Sequence, residues 1–91
     1  MNIALRDSVI DSIHIERQTN GCQCGTLILR DGDAIAHVLW QLIWRRGQQV
    51  VAEFVPGEGA TQDLIRRHHA HLVDTLVQSI FDRISRKALF S

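Results

Sequence analysis

The sequence predicts an α+β domain: a small mixed sheet of three or four strands, built from a β-hairpin, a helix and a further strand. That central helix and a long C-terminal helix pack on it. Three observations carry this expectation. Two β-branched segments flank the turn-forming TNGC, a punctuated Trp-containing segment follows at 31–47, and an amphipathic stretch runs from about Thr61 to Ala88. A hairpin followed by a crossover helix is the economical way to join such elements.

The opening MNIALRDSVIDS places Ile3, Leu5, Val9, Ile10 and Ile13 in a pattern that fits neither a short helix nor a strand well. After it, IHIERQ and GTLILR read as two strands, because Asn20-Gly21 tolerates the positive φ of tight hairpins. Register follows from the apolar pattern. A two-residue turn would set Ile13 and Ile15 across from Ile28 and Thr26, leaving Leu27 and Leu29 on the other face. A loop one residue longer pairs Ile13 and Ile15 with Leu29 and Leu27 and gives one apolar face, so it is the expected form.

The segment DGDAIAHVLWQLIWRRG reads as the central helix. Asp31 or Asp33 supplies an N-cap, Arg45 and Arg46 suit the negative end of the helix dipole, and Gly47 suits the left-handed C′ position. On a helical wheel Ile35, Val38, Leu39, Leu42 and Ile43 form the core face, which turns His37, Trp40 and Trp44 away from it. Two indoles one turn apart would leave several kcal/mol of burial unrealised in water, at about 25 cal/mol per Å². His37, Trp40, Trp44, Arg45 and Arg46 are therefore the expected partner-binding residues, with burial of both rings between sheet and last helix as the alternative. Next, QQVVAEFV reads as a strand covered on both faces, and PGEGA breaks it. The last helix carries Ile65, Leu72, Val73, Leu76, Val77, Ile80, Phe81 and Ile84 on a face wider than one sheet contact needs.

Composition bounds the function. One domain is expected from 91 residues, and hydrophobic content of 45% with a mean hydropathy of −0.03 fits neither a disordered nor a membrane class. Ten basic and ten acidic residues cancel, which argues against nucleic acid as the partner, although Arg66 and Arg67 stand in an early helical turn where cations are disfavoured. No apolar run is long enough to span a bilayer, and Arg6 and Asp7 interrupt a signal-like core, so the cytoplasm is the expected compartment.

RRHHAH brings His68 and His71 to i and i+3 of a helix, and Cys22 with Cys24 could complete two thiolates and two imidazoles for a tetrahedral ion. The CxC spacing departs from the usual metal-binding separation, and nothing in the sequence brings the hairpin to that helix. His14 and Cys24 fall about 13 Å apart in the expected register, too far for proton transfer. No nucleophile elbow, P-loop or dinucleotide fingerprint occurs. The expectation is a non-enzymatic, homodimeric module without cofactor that binds itself or another protein. A metal- or redox-responsive regulator using Cys22, Cys24, His68 and His71 is the alternative from another class, and a nucleic-acid-binding accessory protein is a third.

Overall fold

The computed structural model describes residues 2–19, 21–44 and 50–90, with side chains described to residue 81. Five strands precede one helix: β1 (Asn2–Ala4), β2 (Ile10–Thr19), β3 (Cys22–Asp31), β4 (Ala34–Trp44), β5 (Val50–Pro56) and α1 (Gln62–Phe90). The strands lie in one sheet in sequence order, and every neighbouring pair is antiparallel. The expected mixed sheet of three or four strands with a central helix is thereby corrected. The sheet has five strands, and the segment expected to be the central helix is its fourth.

The reason lies at both levels of the local sequence. Asp31 pairs with Ala34, so Gly32 and Asp33 form a two-residue hairpin turn, and Gly32 takes the φ of +64° that such a turn demands. The aspartates that resemble a helix cap are turn residues. From Ala34 onward nearly every side chain is apolar, so helical and strand periods both find a hydrophobic face, and periodicity alone cannot decide. Pairing decides: β4 pairs with β3 from Ala34 to Ile43 and with β5 over seven residues from Val38 to Trp44.

The β2–β3 hairpin is corrected too. Thr19 pairs with Cys22, so the turn has two residues, not three. The single apolar face nonetheless exists, because the register shifts between Ile15 and Arg17. One extra residue in β2 flips the facing of everything before it. Ile13 then pairs with Leu27 and Ile15 with Gly25, and a second shift between Ile10 and Ser12 brings Ile10 to Leu29.

The inner face of the sheet presents Ile10, Ile13, Leu27, Leu29, Val38 and Leu42, all fully buried, against Leu72, Leu76 and Ile80 of α1. Thr61 caps the helix: its Oγ1 accepts the Leu64 N–H at 3.1 Å. Asp63 favours the first turn and pairs with Arg67 at 3.4 Å, which gives Arg67 a local reason to be there. His69 packs edge-on against Phe54 of β5, with ring centroids 5.5 Å apart. His71, about 200° further round the helix, reaches Asp7 in the β1–β2 loop. The helix is therefore seated between the β5 edge and that loop. Its 29 residues span about 43 Å, which accounts for the 41 Å long axis of the molecule.

Asp7 ties the first loop down. Its Oδ1 accepts the N–H groups of Ile10 at 2.9 Å and Val9 at 2.8 Å, and its Oδ2 accepts from His71 Nε2 at 2.8 Å. The Ile10 N–H is the largest cause of a carboxyl pKa held below the ordinary 3.8, assisted by Val9 and His71 against partial desolvation. A depressed carboxyl stabilises the fold above its unfolded pKa, and the contribution disappears as pH falls through the folded value. Asp7→Asn keeps an oxygen for both N–H groups but loses the charge. Chemical denaturation is expected to show it less stable than the wild type at pH 7, with the gap closing as pH falls below about 3.8. A gap that stays constant with pH refutes this role.

Candidate functional site

An antiparallel sheet with one face on the core ordinarily carries polar side chains on the other. Here the outer face does not follow that rule. Alternation along the strands puts Thr26, Ile28 and Arg30 of β3 outward, with Ile35, His37, Leu39, Gln41 and Ile43 of β4 and Val51, Glu53 and Val55 of β5. Ile35 is 60% exposed, Leu39 48% and Val55 56%; Ile28, Ile43 and Val51 are half-buried. Among the described residues no second layer covers this face.

Cross-strand pairing arranges these residues in rows. Leu39 sits between Thr26 and Val55, with His14 beyond Thr26. His37 pairs with Ile28 and is locked by the turn after β5, where its N–H donates to the Glu58 carbonyl and its own carbonyl accepts the Gly57 N–H, both at 2.8 Å. A third row runs Arg17, Cys24, Gln41, Glu53. Along β2 to β5 the acids Asp11, Glu16, Asp31 and Glu53 outnumber the bases Arg17 and Arg30; Arg30 is ion-paired with Asp11, and Arg17 and Glu53 stand at opposite ends of one row. The face is apolar at its centre and charged at its margins.

The residues expected to bind a partner are placed differently from a helical ridge. Trp40 points inward and is 3% exposed, enclosed by its own chain; its Nε1 has no hydrogen-bond partner among the described residues. Trp44 packs against the same core and donates its Nε1–H to the side-chain oxygen of buried Gln23. His37 is the one described member of the set on the outer face. Arg45 and Arg46 lie outside the described residues. The surplus of apolar surface in this segment is real, but Ile35 and Leu39 carry it.

Cys22 and Cys24 also lie on the outer face, where the Cys22 sulfur accepts from Gln41 Nε2 at 3.3 Å. His68 and His71 belong to α1 on the opposite side of the sheet, so the structure does not assemble the four. No cluster of three or more metal-ligating side chains occurs among the described residues. His14 faces Thr26, one outward position from Cys24 and nearer than the expected register gives, and its Nδ1 is bonded to Asn2 Oδ1 at 3.2 Å. That diagonal of about 7–8 Å still exceeds hydrogen-bond reach.

Sequence reasoning missed Ile35, Leu39, Val55, Arg17 and Glu53 as surface residues. The missed signal was the DGD turn: once it is read as a hairpin, alternation assigns Ile35 and Leu39 outward directly. No family model matches the chain. No curated protein and no solved structure shows significant similarity to it.

Proposed function

We propose that the chain is a small non-enzymatic binding module whose first partner is a second copy of itself, docked on the open face of the sheet. The observation that carries this reading is the exposure of Ile35, Leu39 and Val55 on one uncovered face. Area supports it. Four strands about 4.8 Å apart and 7 to 11 residues long make a face of roughly 500–600 Å², or about 1,000–1,200 Å² for two copies. That reaches the lower bound for a specific interface. The chain exposes 6359 Å², about 1,000 Å² more than the scaling for a compact monomer of its mass. Self-association over the open face is the simplest way to bury part of that excess.

The charges of these strands, in which acids outnumber bases, do not favour a polyanion, which would need a net positive surface. Among the described residues no helix is long and apolar enough to cross a membrane; the cytoplasm is proposed as the compartment because Arg6 and Asp7 interrupt a signal-like core.

Light scattering on the wild type and on Leu39→Lys tests the proposal. Leu39 is half-exposed, so lysine is accommodated in the monomer and its far-ultraviolet dichroism stays unchanged. The expected result is a wild-type dimer at micromolar concentration and a folded monomeric variant. A wild type that stays monomeric at about 100 μM, a concentration at which an interface worth even 6 kcal/mol is largely occupied, overturns the reading.

A further inference from the structure

We propose that the two copies are related by a two-fold axis lying in the interface plane, parallel to the strands and midway between β3 and β4, so that Arg17 of each copy meets the partner's Glu53. The inference rests on the self-association proposed above and adds the orientation and the residues that select it.

The row Arg17, Cys24, Gln41, Glu53 crosses β2, β3, β4 and β5 in register. Its two charged ends are opposite in sign and three strand spacings apart, about 14 Å, too far to pair within one chain. Both side chains are exposed, and neither has an ion-pair partner among the described residues. A closed face-to-face dimer uses the same patch twice, so its axis must lie in the plane between the sheets.

The direction of that axis decides which charges meet. An axis along the strands exchanges β2 with β5 and β3 with β4, laying the row on its own reverse and setting each arginine against a glutamate. An axis across the strands through this row lays Arg17 on Arg17 and Glu53 on Glu53, which is repulsive at both ends. Moved to another row, it leaves all four charges unpaired. Packed sheets lie about 10 Å apart with strands within about 30° of parallel, a gap and an offset that an arginine and a glutamate bridge together. The same orientation places Leu39, Thr26, Ile28 and His37 at the centre and the ion pairs at the rim, the usual anatomy of an interface.

Three samples test this: Arg17→Glu, Glu53→Arg, and an equimolar mixture of the two. Each variant alone sets like charges against each other at both ends, and its dimer is expected to dissociate about tenfold more readily than the wild type. In the mixture one copy carries two glutamates and the other two arginines, so both contacts become attractive and heterodimers form with near wild-type affinity. Analytical ultracentrifugation of the variants alone and mixed, at low and high salt, reads this directly. A misfolded variant would not be rescued by mixing, so recovery also excludes trivial unfolding. If the wild type dimerises but the variants alone match it, or their mixture gains nothing, the orientation is wrong while self-association stands. If the wild type is monomeric at about 100 μM, both proposals fail.

Discussion

Gly25→Ala is expected to destabilise the fold by about 3 kcal/mol or more, because the added methyl group would have to occupy the backbone of the neighbouring strand. A β-carbon built on Gly25 overlaps the His14 carbonyl oxygen and lies 3.0 Å from the Ile15 Cα. Neither is the end of a flexible side chain. The close approach arises where β2 carries the extra residue that separates Ile15 from Arg17 in the register, where a bulge bends its strand and disrupts the regular ladder spacing. Relief would require β2 and β3 to part at the centre of the sheet. Gly32→Ala is the informative companion. Gly32 has a φ of +64° but nothing within 4 Å of the built β-carbon, so only the left-handed backbone conformation opposes the substitution, at about 1–2 kcal/mol. Urea denaturation should therefore rank wild type, Gly32→Ala and Gly25→Ala in falling order of midpoint. An unchanged midpoint for Gly25→Ala would mean that the bulge and its close contact are absent from the folded protein.

The same bulge shows how much of the fold could be read from residues alone. The apolar sets Ile13 with Ile15 and Leu27 with Leu29 correctly announced two strands sharing a buried face. The two-residue turn was equally legible in Asn20-Gly21, and the two facts conflict unless a residue is inserted. A longer turn and a bulge both resolve the conflict, and no local propensity separates them, because a bulge is recognised by backbone pairing and not by composition. The last helix was legible because its polar and apolar residues segregate at the helical period from Ile65 to Ile80. Segment 34–44 was not, because β4 is apolar on both faces and its flanks imitate helix caps. The error at the candidate site follows from that single misassignment. It exchanged the inside and outside of β4, so that the indoles were expected at the surface and Ile35 with Leu39 in the core.

That exchange makes Trp40 and Ile35 a decisive pair for truncation. Trp40→Ala is expected to cost about 3–5 kcal/mol, the range for removing a large aromatic side chain from a core. The ring is 3% exposed and belongs to the cluster that Leu42, Leu72 and Leu76 help to form. A domain of this size has about 5–15 kcal/mol in total, so the variant should be close to unfolded at moderate temperature. Ile35→Ala, on the exposed face, is expected within about 0.5 kcal/mol of the wild type when measured on the monomer, for instance in the Leu39→Lys background. A helical segment would reverse the order, because the wheel that puts Trp40 outside puts Ile35 at the middle of the core. Equilibrium unfolding of the two alanine variants thus separates strand from helix without a structure determination. If Ile35→Ala proves the more damaging, β4 is not a strand in solution, and the open face built on it, with the dimer that covers it, is lost together with the fold.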